Sequence, residues 1–164
     1  MTLSVDWYFD FDSPYSYICL HRLGELPVQV SYKPVLFAGL LNHWGQKGPA
    51  EIPAKRKWTY RWCTWWAGEL GIPFRFPAAH PFNPLPYLRL SLAAGCSAHA
   101  IGAIFAHLWT TGEPAEKGFE ELCADLEVAP ARLMEVKDIL RNNTEEAAPP
   151  GVFGVPSFLV DTVV

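Results

Sequence analysis

The sequence predicts an α/β fold in which a small sheet is built from both ends of the chain, with a large all-α insertion between its second and third strands. Three observations predict it: the chain opens with a strand-helix-strand pattern, helical patterns fill residues 35–148, and a strand pattern returns near the end. At 164 residues, 50% of them hydrophobic, the chain is long enough to bury one core. We therefore expect one compact unit in which residues 1–34 and 149–164 carry the sheet.

The opening strand is predicted over residues 4–11, which are dense in β-branched and aromatic side chains. It stops at Asp12-Ser13-Pro14, where a capping side chain followed by proline predicts the start of a helix. That helix is predicted over residues 15–23, and residues 28–34 resume the alternation of a strand. The opening therefore predicts a β-α-β unit with a tight turn before its helix.

Helices follow, separated by loops rich in proline and glycine, and no internal repeat is visible. Pro149-Pro150-Gly151 ends the last of them, and residues 152–160 predict a turn followed by a strand. The uncharged stretch 90–112 contains serines, histidines and glycines, so it predicts a buried helix rather than a membrane span. The predicted helices cover Lys55–Leu70, Pro86–Ala94, Ala98–Trp109, Phe119–Asp125 and Ala131–Ala147.

Charge and cysteine usage exclude several classes of function. With 13 Lys and Arg against 17 Asp and Glu, the net charge of −4 argues against general binding to nucleic acid or to an anionic membrane surface. The four cysteines include no C-x-x-C pair, and the histidines show no ligand spacing, so we predict no metal and assign the histidines to packing or surface positions. The first residues lack the pattern of a signal peptide, which predicts a cytoplasmic protein.

Basic residues are concentrated in one part of the chain, with seven of the 13 between Lys33 and Arg75. This segment either faces an anionic ligand or is the solvated face of a helix whose other face carries tryptophans. We favour the second interpretation for most of the basic residues. The cations of the helix are Lys55, Arg56, Lys57 and Arg61, and its tryptophans are Trp58, Trp62, Trp65 and Trp66.

The strongest candidate site is the corner Ser13-Pro14-Tyr15-Ser16, between the first strand and the first helix. Backbone N–H groups lack partners at such a corner, and the helix dipole favours negative charge there, so a thiolate or another anion would be stabilised. A serine at this corner also has a simpler interpretation as an N-cap, and this motif alone favours the cap.

A second segment, near the end of the chain, favours the anion-binding interpretation of Ser13 over the simple cap. The β-α-β opening, the helical insertion and the late segment 154–158 together resemble the thioredoxin fold, in which a proline, usually cis, precedes the third strand and faces the start of the first helix. Here this proline is Pro156, after Val155. Redox members carry C-x-x-C at the corner, whereas this sequence has Ser13 and Ser16 at that spacing. The change removes dithiol exchange and leaves an anion-binding hydroxyl.

The segments that carry a more specific resemblance span essentially the whole chain: Phe9–Tyr17, Gly45–Pro49, Pro53–Lys55, Leu70–Pro73 with Phe76-Pro77, Asn83-Pro84, Asn143–Ala147 and Gly151–Phe158. In these segments the chain resembles the 2-hydroxychromene-2-carboxylate isomerase family, which is related to the kappa-class glutathione transferases and the DsbA-type oxidoreductases. The first and the last segments are the most diagnostic.

This resemblance implies glutathione as a cofactor. It implies that Ser13 hydrogen-bonds the sulfur of glutathione, that the backbone of Val155, before Pro156, pairs with the tripeptide, and that Gln46 stands where relatives often carry a ligand-contacting Asn. It also implies a basic position near the mouth of the site at Lys55, with Lys47 as a further cation for the substrate carboxylate, and a loop position on the substrate side at Asn83. Loop and turn hydrogen bonding is an equal alternative for Gln46 and Asn83.

The sequence departs from the family pattern in two places. Trp58 and Trp62 stand where relatives carry aromatic and acidic positions that serve the polar side of the substrate pocket. Relatives also continue past the last strand through a hairpin, a turn and a final helix, whose start holds the γ-glutamyl end of glutathione. This part is missing here, so we expect either a fragment of a longer protein or a weaker hold on glutathione.

Three functions remain open from the sequence. The first is a glutathione-dependent cis-trans isomerase of a small aromatic oxo-acid that carries a carboxylate, acting by reversible thiolate addition. The second is a kappa-like glutathione transferase, which conjugates electrophiles and releases the adduct. The third is a non-catalytic protein of DsbA-like fold. Dimers are common among relatives, and seven Trp leave apolar surface to cover, so a homodimer is a further expectation.

Overall fold

The computed structural model describes residues 3–160, and its sheet has three strands in the order β2-β1-β3. The central strand β1 (Leu3–Phe9) pairs in parallel with β2 (Val28–Pro34) and antiparallel with β3 (Ser157–Val160). Val5 pairs with Val30 of β2 on one side and with Val160 of β3 on the other. The two ends of the chain thus meet in one sheet, as the sequence predicts.

Strand β1 is covered on both faces. Trp7 and Phe9 point into the main hydrophobic core, whereas Tyr8 points the other way, into a smaller cluster that includes Leu40 and Ala147. A strand buried on both faces needs a nearly continuous apolar run rather than strict alternation, which explains the composition of this segment. The strand ends at Phe9, two residues earlier than predicted, because Asp10 and Phe11 enter the turn to the first helix.

The helices fall close to the predicted positions, with two corrections. The first helix ends at Leu20 rather than Leu23, where a separate 3-10 turn begins. The last predicted helix is two helices, which meet at Val136. Within residues 3–160, no helix has the length and hydrophobicity needed to cross a membrane. The bounds are α1 Pro14–Leu20, α2 Phe37–Trp44, α3 Pro53–Glu69, α4 Leu85–Ala93, α5 Ala98–Trp109, α6 Phe119–Asp125, α7 Arg132–Glu135 and α8 Lys137–Ala147.

Helices α2 and α8 approach each other closely at the end of β2. A Cβ on Gly39 would lie 2.9 Å from the methyl group of Thr144, so a larger residue would force the helices apart. The hydroxyl of Thr144 accepts a hydrogen bond from the backbone N–H of Leu36 at 3.0 Å, and the amide of Asn143 donates one to the carbonyl of Pro34 at 3.2 Å. These contacts fix the start of α2 against the sheet.

The prediction for α3 is confirmed for its cations, which are exposed, and wrong for most of its tryptophans. Its buried face carries the small residues Thr59, Cys63 and Ala67, which let the helix pack closely against α1. The indoles of Trp58, Trp62 and Trp65 are exposed; Trp58 stacks on Trp62, and Trp65 lies tilted against Trp62. Trp66 is partly buried and packs against the core. Small side chains, not large aromatic ones, therefore decide which face of α3 is buried.

The centre of the main core is an aromatic cluster between α1, β1 and α5. Trp109, at the end of α5, is fully buried and stacks against Phe74 and Tyr17. Its indole N–H donates a hydrogen bond to the backbone carbonyl of Phe11 at 2.9 Å. This bond anchors the turn that follows β1 to the helical part of the chain.

We expect Trp109→Phe to lower the free energy of unfolding by about 2–4 kcal/mol, because it leaves a small cavity and an unpaired buried carbonyl. The matched control is Trp65→Phe at a side chain that is 55% exposed, which should cost at most about 0.5 kcal/mol. Urea unfolding of both variants measures the difference, and equal costs would contradict this description of the core.

Candidate functional site

The turn between β1 and α1 places Ser13 at the first turn of the helix. Its N–H donates to the carbonyl of Asp10 at 3.2 Å, and its own carbonyl accepts from Tyr17 at 3.1 Å. The hydroxyl oxygen accepts a hydrogen bond from the N–H of Ser16 at 3.1 Å, so Ser13 is the N-cap of α1. Accepting this bond uses a lone pair and leaves the hydroxyl hydrogen free to donate to a ligand. Capping and anion binding are therefore compatible at this residue.

Ser13 lies at a cavity of about 230 Å³. The side chain is 5% exposed, so a ligand that reaches its hydroxyl is largely removed from water. The walls come from segments far apart in the sequence: the turn after β1, the start of α2, residues 48–51, α3, residues 80–84 and the loop before β3. Their lining residues include Asp10, Asp12, Pro14, Tyr15, Phe37, Leu41, Glu51, Thr59, Tyr60, His80, Phe82 and Val155.

The loop before β3 brings Val155 to the wall of this cavity. The peptide bond between Val155 and Pro156 is cis, as the resemblance to the thioredoxin fold predicts. Pro156 itself lines a neighbouring depression on the other side of Tyr15. The fold thus brings together Ser13 and Val155, which are 142 positions apart in the sequence.

Asp10 joins the turn to α2. Its carboxyl group accepts hydrogen bonds from the N–H of Phe37, the first residue of α2, at 2.7 Å and from the N–H of Asp12 at 3.2 Å. The side chain is almost fully buried. Burial raises its pKa to about 7, although the backbone hydrogen bonds act in the opposite direction.

Asp12 joins the same turn to the loop that precedes α4. Its Oδ1 accepts a hydrogen bond from the N–H of Phe82 at 3.0 Å. Burial raises the pKa of Asp12 to about 8, and the nearby carboxyl group of Asp10 adds to the shift. The turn thus carries two carboxyl groups whose protonated forms persist toward neutral pH.

His80 is the centre of a hydrogen-bond network beside the cavity. Its Nε2 lies 2.8 Å from the carbonyl oxygen of Asp12, and its Nδ1 lies 2.5 Å from the hydroxyl of Tyr60. A carbonyl only accepts, so Nε2 carries a hydrogen, and in the neutral ring Nδ1 accepts from Tyr60. Burial lowers the pKa of His80, which favours this neutral ring.

The sequence does not predict this network. It assigns His80 to a packing or surface position and proposes no role for Asp10, Asp12 or Tyr60. The Asp12-Ser13-Pro14 signal is visible in the sequence as a helix start, but the partners of Asp12 lie 68 and 70 positions further along the chain. Only the folded chain brings them together.

The other predicted site residues lie outside the walls of this cavity. Gln46 and Lys47 are exposed on the loop after α2. Lys55 is exposed on the first turn of α3 and lines a shallow depression that shares Tyr15 and Thr59 with the cavity. Asn83 is exposed, and its side chain accepts a hydrogen bond from the N–H of Leu85 at 3.1 Å at the start of α4. Their predicted contacts with ligand or substrate stay predictions.

Comparisons with known proteins agree with the fold. The family model described as DSBA-like thioredoxin domain matches residues 4–163. The chain is 30% identical to "Glutathione s-transferase kappa 2" of Caenorhabditis elegans over 93% of this chain and 78% of that protein. It is 27% identical to a 2-hydroxychromene-2-carboxylate isomerase of Sphingobium xenophagum over 98% of this chain and 90% of that protein.

A solved structure of 2-hydroxychromene-2-carboxylate isomerase has the same fold. It superposes with a TM-score of 0.78 and 22% identity, and the match covers 96% of this chain and 85% of that one. At this identity the likeness concerns the fold alone. The cavity next to Ser13 therefore lies in a fold that this isomerase shares.

The buried carboxyl group of Asp12 predicts a pH-dependent stability. The folded state keeps a proton that the unfolded chain gives up near pH 4, so the free energy of unfolding contributed by this group falls as the pH rises from about 4 to about 8. Asp12→Asn keeps the acceptor for the N–H of Phe82 and removes the ionisation. Between about pH 5 and pH 8, the unsubstituted chain should lose roughly 2 kcal/mol or more relative to this variant.

Urea unfolding at the two pH values measures this difference. Asp138→Asn, at a carboxyl group that is exposed and paired with Arg141, is the matched control and should follow the unsubstituted chain. If Asp12→Asn follows it as well, the carboxyl group of Asp12 is not held protonated by burial.

Proposed function

Because this chain belongs to the family of DsbA-like thioredoxin domains, we propose that it is a glutathione-dependent cis-trans isomerase of an unsaturated aromatic oxo-acid similar to 2-hydroxychromene-2-carboxylate. Relatives named as isomerases and as a kappa transferase support an enzymatic role. The observation that carries the proposal is the Ser13 hydroxyl, which has a free hydrogen and lies at a cavity shared with Val155.

The cavity fits a thiol ligand better than it fits disulfide exchange. Positions 13 and 16 are serines, and no cysteine lines the cavity in the described part of the chain. Cys19 lies further along α1, outside the cavity, and burial raises the pKa of its thiol, which makes it a poor nucleophile. A thiolate at this site therefore has to come from a ligand, and Ser13 has the donor that such an anion requires.

Bound glutathione would supply a thiolate nucleophile for reversible addition to an unsaturated carbon, the chemistry that interconverts geometric isomers. Ser13 would donate its hydroxyl hydrogen to that sulfur and favour the ionised form. The same side chain keeps its bond to the N–H of Ser16, so the hydroxyl is already oriented before the ligand binds. The cavity walls remove the sulfur from bulk water, which strengthens this hydrogen bond.

The remaining predicted contacts are divided between glutathione and the substrate. The backbone of Val155 pairs with the main chain of the tripeptide, and Pro156 follows it in the bend before β3. Gln46 adds an amide contact from the loop after α2. Lys55, helped by Lys47, attracts the carboxylate of the substrate from the exposed side, where its depression adjoins the cavity through Tyr15 and Thr59. Asn83, in the loop before α4, lies on the side of the site where the substrate binds in this proposal.

A transferase is the second candidate, and the 30% identity to "Glutathione s-transferase kappa 2" favours it. Both activities need the same activated thiolate, so the site residues do not separate them. Product analysis does. Free glutathione recovered in full after turnover of a geometric isomer supports isomerisation, whereas stoichiometric loss of glutathione into an adduct supports transfer.

We expect Ser13→Ala to lower the turnover number by about a hundredfold or more, because a donor to an anion at such a site contributes roughly 3–4 kcal/mol. The variant also loses an N-cap, at a cost of about 1 kcal/mol of stability. Ser97 caps α5 with the same geometry, its hydroxyl accepting from the N–H of Ala100 at 3.1 Å, so Ser97→Ala is the matched control. Steady-state kinetics in which both variants keep full turnover would remove Ser13 from the mechanism.

Lys55→Ala should raise the KM for a carboxylate substrate roughly three- to fivefold with little change in the turnover number, because an exposed ion pair contributes at most about 1 kcal/mol. Lys57→Ala on the same helix is the control, since Lys57 is exposed but does not line the depression that adjoins the cavity. Equal KM values for the two variants would show that Lys55 has no special position.

A further inference from the structure

Asp12 precedes Ser13 directly, and both residues line the same cavity. The side chain of Asp12 is only 18% exposed. One of its oxygens, Oδ1, accepts a hydrogen bond from the N–H of Phe82, and the other, Oδ2, has no hydrogen-bond partner within residues 3–160. A carboxyl group with one N–H donor and little water is far better tolerated in its neutral form.

The nearest basic groups do not compensate a negative charge on Asp12. His80 is the basic side chain closest to it, with Nε2 at 3.4 Å from Oδ1, but the Nε2 hydrogen is directed to the carbonyl oxygen of Asp12 at 2.8 Å. Burial lowers the pKa of His80 and keeps its ring neutral. The guanidinium of Arg56 donates to the carbonyl of His80 at 2.8 Å and lies over the ring of Tyr60.

The other titratable groups at the cavity supply no positive charge either. They are the carboxyl groups of Asp10 and Glu51 and the phenols of Tyr15 and Tyr60. Glu51 accepts a hydrogen bond from the N–H of Gly48, and the buried carboxyl group of Asp10 disfavours a second negative charge at Asp12. Burial and the neighbouring carboxyl group of Asp10 therefore favour a proton on Asp12, and the single hydrogen bond from Phe82 only partly opposes them.

We propose that the protonated carboxyl group of Asp12 admits an anionic sulfur to the place beside Ser13, and that ionisation of Asp12 excludes it. Two negative charges a few ångströms apart repel each other strongly in a cavity with little water. In its protonated form, Asp12 instead offers the cavity an O–H donor in addition to the hydroxyl of Ser13. Asp12 is thus a specificity-determining residue, whose protonated form selects an anion over a neutral group at the sulfur position.

This inference rests on the proposed function, because it requires that the cavity bind glutathione. Its test separates the charge at the sulfur from the titration of the thiol. Glutathione sulfonate carries a permanent negative charge at the sulfur position, whereas S-methylglutathione is neutral there. The two probes share their amino and carboxylate groups, so the ratio of their affinities reports the environment of the sulfur alone.

Calorimetric titration of both probes from about pH 6 to pH 9 provides the test. The preference for the sulfonate over the thioether should fall by about tenfold as Asp12 ionises. Asp12→Asn keeps the acceptor for Phe82 but does not ionise, so the part of the decline centred near pH 8 should disappear. Any decline that remains should be centred near pH 7, where the other cavity carboxyl group, Asp10, ionises. Asp138→Asn, at an exposed carboxyl group, should keep the decline.

The possible failures are distinguishable. If both probes bind the unsubstituted chain and their ratio does not change with pH, or if Asp12→Asn keeps the part of the decline centred near pH 8, the role of Asp12 is wrong while the glutathione site stands. If neither probe binds at any pH, the proposed function fails and the inference falls with it. A ratio that does not change with pH in the unsubstituted chain contradicts the role of Asp12 even if Asp12→Asn does not fold. A decline in the ratio supports Asp12 only if Asp10→Asn keeps it, because Asp10 lines the same cavity and also has a raised pKa, about 7.

Discussion

Two carboxyl groups at the end of β1, Asp10 fully buried and Asp12 mostly buried, hold the candidate site together. Asp10 binds the first N–H of α2, and Asp12 binds the N–H of Phe82 in the loop before α4. His80, from the same loop, returns a hydrogen bond to the carbonyl of Asp12. These bonds fix the turn that presents Ser13 and set three walls of the cavity around it. Without them, the cap at Ser13 would still start α1, but the elements around it would have no common anchor.

Burial of these two carboxyl groups in their ionised form costs free energy, and protonation of the groups removes part of that cost. A buried carboxylate without a cation is expensive, and here burial raises the pKa of both groups toward neutral pH. Strongly shifted groups that line a cavity are typical of functional sites, although structural networks shift pKa values as well. At this turn both explanations hold for the same atoms, because the carboxyl groups that organise the backbone also set the charge beside Ser13.

The sequence predicts what local signals encode. The sequence predicts β1, the helix start at Asp12-Ser13-Pro14 and the late strand after Val155-Pro156, and all three are present in the structure. The resemblance to the family implies that Ser13 and Val155 serve one site, and both line the same cavity. The sequence does not predict the partners of Asp12, since His80 and Phe82 are far along the chain and carry no spacing signal. It also predicts the wrong face for α3, because close packing on α1 favours small side chains over tryptophan.

The crystal structure of this chain with bound glutathione tests the central claim most directly. Our account predicts the tripeptide in the cavity, its sulfur within hydrogen-bond distance of the Ser13 hydroxyl, roughly 3–3.5 Å, and its main chain paired with the backbone of Val155. A tripeptide bound elsewhere on the surface, or a cavity that stays free of it at saturating glutathione, would contradict the account.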